Sequence, residues 1–108
     1  MLLVLSSPFF APQRSRIANL AIEHRLPSMF IFKSYVQAGG LMSYGVDYLR
    51  SYRRTPDYVA KILRGATPAE LPVEEIERFK LVINLKTANA IGIEFPTSIL
   101  LRADEVIE

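Results

Sequence analysis

The sequence contains no cysteine, a single histidine (His24) and five glycines among 108 residues. Without cysteine there are no disulfides, no thiolate metal sites and no cysteine nucleophile, and either redox compartment is chemically acceptable. The lone histidine has no serine partner in local context, and no G-x-S-x-G elbow is present. The glycines match neither a Walker loop nor a dinucleotide fingerprint, the first lacking its lysine and the second its spacing. No histidine or carboxylate pair has metal-ligand spacing. Catalytic residues, metal ligands and cofactors are therefore expected to be absent, and His24 is expected on the buried face of a helix as a packed histidine. Charge of one sign is also scarce. With 13 basic and 11 acidic residues the formal net charge is +2. No basic run exceeds Arg53-Arg54, which argues against a nucleic-acid partner. No apolar run approaches the ~20 residues of a membrane-spanning helix.

Apolar residues, by contrast, are abundant. Half the chain is hydrophobic and the mean hydropathy is +0.19. Small domains bury proportionally less of their surface, so part of this apolar surface is expected to meet a partner. The first residues, Met1-Leu2-Leu3-Val4-Leu5 and then Phe9-Phe10-Ala11, imitate a secretion signal. They lack a positive n-region and a lipobox cysteine, and Ser6-Ser7-Pro8 breaks the run, so a buried strand explains them better.

Residues 2–5 form an apolar run without alternation, as in a parallel strand covered on both faces. Pro12 suits the first turn of a following helix. Over residues 13–25, Ile17, Leu20, Ala21 and His24 recur with helical spacing and predict an inward stripe. Leu26-Pro27 stops that helix, and Met29-Phe30-Ile31-Phe32 forms a second uninterrupted strand. Strand, helix and strand within about 30 residues make a βαβ unit, which places ligands beyond the carboxyl ends of the strands. Those ends carry Ser7 and Phe9, then Ser34 and Tyr35, the mixture of hydroxyls and rings expected of a small-molecule pocket wall.

The chain is organised around Gly39-Gly40-Leu41-Met42-Ser43-Tyr44-Gly45. Glycines at both ends suit a change of direction, and Ser43 and Tyr44 place two hydroxyls there on a short third strand. From 47 to 64, Leu49, Tyr52, Pro56, Val59, Ile62 and Leu63 mark an amphipathic helix. Thr55-Pro56 resembles a fresh helix start, which predicts a kinked or two-part helix. Prolines 68 and 72 and the acidic Glu74, Glu75 and Glu77 read as an irregular, solvated connection. Residues 79–85 form a further strand. Asn84 or Thr87 could cap a short helix ending before Gly92, a last helical turn follows Pro96, and residues 104–108 read as an acidic end.

Three linked stretches identify a family. They are Ala38-Gly39-Gly40-Leu41-Met42-Ser43-Tyr44-Gly45, the run from Tyr58-Val59-Ala60-Lys61 through Arg64-Gly65-Ala66-Thr67-Pro68 to Glu74, and Phe79-Lys80-Leu81-Val82-Ile83-Asn84-Leu85-Lys86-Thr87-Ala88. Together they resemble the C-terminal third of ABC-transporter substrate-binding proteins with the type I periplasmic-binding fold. The closing Arg102-Ala103-Asp104-Glu105-Val106-Ile107-Glu108 is similar too. The resemblance implies an α/β parallel-sheet βαβ fragment of one lobe, followed by a hinge-like crossing and one long amphipathic helix. Residues 1–42 and 79–108 would be second-lobe-like, and 43–78 would be crossing segments plus a first-lobe-like helix.

The implied role is non-covalent binding of a small solute for delivery to an ABC permease, without enzymatic chemistry. Ser7, Phe9, Ser34, Tyr35, Ser43 and Tyr44 are the expected solute contacts. The family resemblance implies a periplasmic location, and a start at Met1 without an export signal would imply the cytoplasm instead. The alternative is a stand-alone interaction module that keeps the lobe's fold and binds no solute. In either case the apolar stripe of the 47–64 helix predicts a homodimer built through that helix.

Overall fold

The computed structural model describes residues 1–74 and 78–108. Along the chain run β1 (Leu2–Val4), α1 (Arg14–Glu23), β2 (Ser28–Phe30), α2 (Lys33–Gln37) and β3 (Met42–Val46). Then come α3 (Tyr48–Leu63), β4 (Phe79–Asn84), α4 (Leu85–Ile91), α5 (Thr97–Arg102) and β5 (Glu105–Ile107). The five strands form one sheet in the order β1-β2-β3-β4-β5. The pairs β1–β2, β2–β3 and β4–β5 are parallel. This is a mixed α/β fold with a mainly parallel sheet, as the strand–helix alternation requires. The chain divides into two compact units, one of residues 1–45 with 80–108 and one of residues 46–79.

In the first unit, Val4, Phe30 and Ser43 stand in one register row across β1, β2 and β3. Phe30, Val36, Leu41, Val82 and Ile83 are fully buried. Leu41 joins Ala88 and Ile91 in a cluster closed by Ile22, Met42, Ile93 and Phe95. Helix α1 packs on α2 and α4. Its inward face differs from the predicted stripe. Ala18 and Ala21 are buried and Ile17 and Ile22 half-buried, while Leu20 and His24 are exposed. The turn after α2 faces that side of the helix: a Cβ at Gly39, where φ is +116°, would stand in ordinary contact with Ile22 and Ala18 at 3.6 and 3.7 Å. His24 caps the carboxyl end of α1 and is not a packed core histidine.

Strand β1 is also barer than its composition predicts. Leu3 is 56% exposed and Leu5 65%. As the first strand in the sheet order, β1 has a neighbour on one side only, and its alternating exposure marks cover on one face. At the far end, the acidic terminus is a strand. Val82, Ile83 and Asn84 pair with Glu105, Val106 and Ile107. Asp104 helps to set that register, its carboxylate accepting from Leu81 N at 2.8 Å. Asn84 is the N-cap of α4, accepting from Thr87 N at 3.1 Å, and Gly92 closes the helix at φ +78°.

The second unit is built on α3, which starts at an Asp47 cap that accepts from Arg50 N at 3.3 Å. The helix is continuous through Pro56 and is not two pieces. Proline removes one backbone donor, and the Tyr52 carbonyl left without it belongs to a residue 68% exposed, within reach of water. Every residue of α3 except Tyr58 and Ala60 is exposed, including Leu49 and Leu63. The connection after α3 is irregular as expected, apart from a 3₁₀ turn at Pro68–Glu70, where the Glu70 carboxylate accepts from Thr67 N. It is fastened to the helix at two points. Arg54 grips the Glu74 carboxylate with Nε (3.1 Å to Oε2) and Nη2, and the Tyr58 hydroxyl donates to the Pro72 carbonyl at 3.1 Å. Glu74 of the acidic cluster is thus ion-paired, and Glu75 and Glu77 lie outside the described residues.

Candidate functional site

The carboxyl ends of β1, β2 and β3 lie together at one edge of the first unit, because the three strands are parallel and in register. After β1 the chain turns on Ser7. Its hydroxyl accepts from Phe9 N at 3.2 Å, and its carbonyl accepts from Phe10 N and Ala11 N at 3.1 and 3.3 Å. This turn leaves Phe9 72% exposed, edge-on to Phe10 with ring centroids 5.8 Å apart. A ring so exposed keeps most of its apolar surface in water.

After β2, α2 begins at Lys33, whose ammonium pairs with the Glu105 carboxylate at 2.7 Å, both side chains being partly exposed. Ser34 is exposed on the first turn of α2. Tyr35 points the other way: it is buried and stacked on Phe30 with centroids 4.9 Å apart. On β3, Ser43 is buried and Tyr44 is 51% exposed. Of the six residues expected at the site, Phe9, Ser34 and Tyr44 therefore stand at the surface of this edge and Ser7 is half-buried there. Tyr35 and Ser43 lie beneath it as core residues of β2, α2 and β3 packing.

Sequence reasoning missed the support of this edge. Ser28 Oγ accepts from Leu41 N at 3.1 Å, Asn84 Nδ2 donates to the Val36 carbonyl at 3.2 Å, and Thr87 Oγ1 donates to the Gly39 carbonyl at 2.8 Å. Ser28, Asn84 and Thr87 are all buried, and among the described residues no buried side-chain nitrogen or oxygen lacks a partner. Buried polar groups need such partners, so polar residues amid apolar strand positions were the signal that could have found them.

In the second unit, the Arg54 guanidinium holds the Glu74 carboxyl below the usual carboxylate range, and Glu74 in return raises Arg54. Desolvation, aided by Glu74, pushes the Tyr58 phenol up. Among the described residues no three histidine, cysteine or carboxylate side chains gather to hold a metal, and no helix is long and apolar enough to cross a membrane.

A parallel α/β unit whose strand ends gather hydroxyls and exposed rings is of the class that receives small ligands at the sheet edge. More particularly, the chain belongs to the ABC transporter substrate binding protein family, whose model matches residues 9–107. It is similar to a conserved domain protein from Vibrio cholerae O1 biovar El Tor, with 33% identity and a TM-score of 0.88, covering 96% of this chain and 35% of that one. It is similar also to an ABC domain from Streptococcus pneumoniae solved in complex with L-Trp, with 31% identity and a TM-score of 0.81 over 91% of this chain and 34% of that one. The ligand-free, open structure of a substrate binding protein with adhesive properties from Clostridium difficile shares the fold, at 23% identity and a TM-score of 0.68 over 98% of this chain and 35% of that one. The chain thus spans about a third of the length of these solved structures. No curated protein sequence matches it.

Proposed function

We propose that the chain supplies one wall of a solute-binding site in an ABC-type import system, binding a small molecule non-covalently outside the cytoplasmic membrane and presenting it to a permease. In this reading residues 1–42 and 79–108 serve as second-lobe-like wall, and residues 43–78 as crossing segments plus a first-lobe-like helix. The wall carries no chemistry beyond recognition. The observation that carries the proposal is the grouping of Ser7, Phe9, Ser34 and Tyr44 at the carboxyl edge of three parallel strands. Tyr35 and Ser43 act from behind, as the packing on which that surface rests. The exposed rings of Phe9 and Tyr44 favour a solute with an aromatic side chain, and a 31% identical structure that holds L-Trp supports an amino acid of that kind.

L-Trp is also the natural probe, because the chain contains no tryptophan. Its emission reports the ligand alone. Titration is expected to shift the emission to shorter wavelength as the indole leaves water, with competition by other aromatic amino acids. An unshifted spectrum across that panel, with no calorimetric heat, would remove the solute assignment.

A second reading, an oligomerising interaction module, rests on α3. Leu49, Tyr52, Val59, Ile62 and Leu63 are 42–82% exposed. Burying such side chains is worth about 1.5–3 kcal/mol each, a large sum against a domain stability of about 5–15 kcal/mol. A homodimer through α3 would recover it. Light scattering at micromolar concentration decides: a dimer that Leu49→Asp with Leu63→Asp converts to monomer supports it, and a monomeric wild type sinks it.

A further inference from the structure

The connection between α2 and β3 is held from three directions by groups remote in sequence. Leu41 N donates to Ser28 Oγ at the start of β2 (3.1 Å), and the Leu41 carbonyl accepts from Asn84 N at the end of β4 (2.8 Å). The Val36 carbonyl accepts from Asn84 Nδ2 (3.2 Å), and the Gly39 carbonyl accepts from Thr87 Oγ1 on α4 (2.8 Å). The partners fix the Asn84 amide. A carbonyl can only accept and the Thr87 N–H can only donate, so the nitrogen must face Val36 and the oxygen must cap α4. Asparagine is the side chain of this size that does both. Ser34 and Tyr35 precede this connection and Ser43 and Tyr44 follow it, so its placement sets theirs.

We infer that Asn84 and Thr87 are positioning residues for the carboxyl edge: through Val36 and Gly39 they fix where Ser34 and Tyr44 stand, although neither reaches the surface that would meet a solute. The inference rests on the proposed role of that edge. In a low-dielectric interior, a Gly39 carbonyl that loses the Thr87 donor pulls the connection toward water, whereas the Val36 carbonyl loses its second donor and keeps Gly39 N at 3.0 Å, so the effect of losing one tie is local displacement.

Thr87→Val keeps the shape of residue 87 and removes its donor, and Thr87→Ser restores the donor. Asn84→Asp keeps an acceptor to cap α4 and sets a carboxyl oxygen against the Val36 carbonyl, to which an ionised carboxylate cannot donate, so it disturbs the same connection should Thr87→Val fail to fold. Amide hydrogen exchange and the ring NMR signals of Tyr44 are read on the whole chain without ligand. In Thr87→Val and in Asn84→Asp, the amides of Gly39, Gly40 and Leu41 are expected to exchange at least tenfold faster than in the wild type. Those of Leu2 and Phe10, bonded outside the connection, should keep their rates. The Tyr44 ring signals should move, and Thr87→Ser should return both readouts to the wild-type pattern. Acceleration spread equally over Leu2, Phe10 and Leu41, or Tyr44 signals that stay in place, would overturn the inference, since lost stability alone produces either. L-Trp titration of the same variants separates the two proposals. A wild type that does not bind removes the solute reading and leaves the exchange result to judge positioning.

Discussion

Gly45 lies so close to Ile31 that no side chain fits between them. A Cβ at position 45 would overlap the Ile31 carbonyl oxygen and stand 3.0 Å from its Cγ2 and 3.1 Å from its carbonyl carbon. The obstacle is mostly backbone, so it cannot swing aside. Gly45→Ala must push β3 away from the residue that follows β2, and overpacking of this kind costs about 1–3 kcal/mol. Urea unfolding is expected to show that loss, and an unchanged midpoint would mean that the strands separate freely there.

Two tyrosines at the same edge should answer mutation in opposite ways. Tyr35 is 3% exposed and stacked on Phe30, so Tyr35→Ala opens a core cavity and is expected to destabilise by about 3–5 kcal/mol. Tyr44 is half-exposed and belongs to the edge surface and not to the core. Phe9→Ala and Tyr44→Ala should each weaken L-Trp binding about tenfold, the value of one aromatic contact. Unchanged affinity in both variants, measured by calorimetry, would take these rings out of the site.

The Arg54–Glu74 pair gives a pH prediction with a definite sign. The folded-state carboxyl of Glu74 titrates below its ordinary value because Arg54 hydrogen-bonds its charged form. Its contribution is therefore complete above the ordinary carboxylate range and is lost as pH falls through the depressed value. Both groups are exposed and screened, so the effect on stability is small. The carboxyl carbon signal of Glu74 should titrate at lower pH than a free glutamate and return upward in Arg54→Ala. An inflection unmoved by that substitution would refute the pairing.

Pro56 interrupts the hydrogen-bond ladder of a helix that runs on either side of it. An interior proline is about 3 kcal/mol less favourable than alanine, partly offset because proline also restricts the unfolded chain. Pro56→Ala is expected to stabilise α3 by about 1–3 kcal/mol, read as slower amide exchange over residues 52–60. Faster exchange there would show that the proline is matched to a bend the helix requires.

Much of this molecule follows from local sequence. The apolar runs at 2–5 and 29–32 each hold a strand, Leu2–Val4 and Ser28–Phe30, the second starting and ending earlier than its run, and Asn84 and Gly92 mark the ends of α4 by cap and positive-φ chemistry. The glycine-bounded stretch and the two that follow it carried the family in the order of their residues, and the family model spans 9–107. These features are local: a cap, a turn or an apolar run is decided within a few residues of itself.

Tertiary structure decided what depends on residues far apart. The inward face of α1 is the one that meets α2, α4 and the turn at Gly39, so Ala18 and Ala21 are buried while Leu20 and His24 are exposed. The acidic terminus became β5 because β4 offers it a parallel edge, and Pro56 stands inside one continuous helix whose residues around it are exposed. Tyr35 and Tyr44 are alike as letters, yet Tyr35 packs on the rings of Phe30 and Phe32 as core while Tyr44 is half-exposed. Periodicity states that a side chain is apolar or polar. Which neighbour it meets is set by hydrogen bonds such as Thr87 to Gly39, across 48 positions of chain.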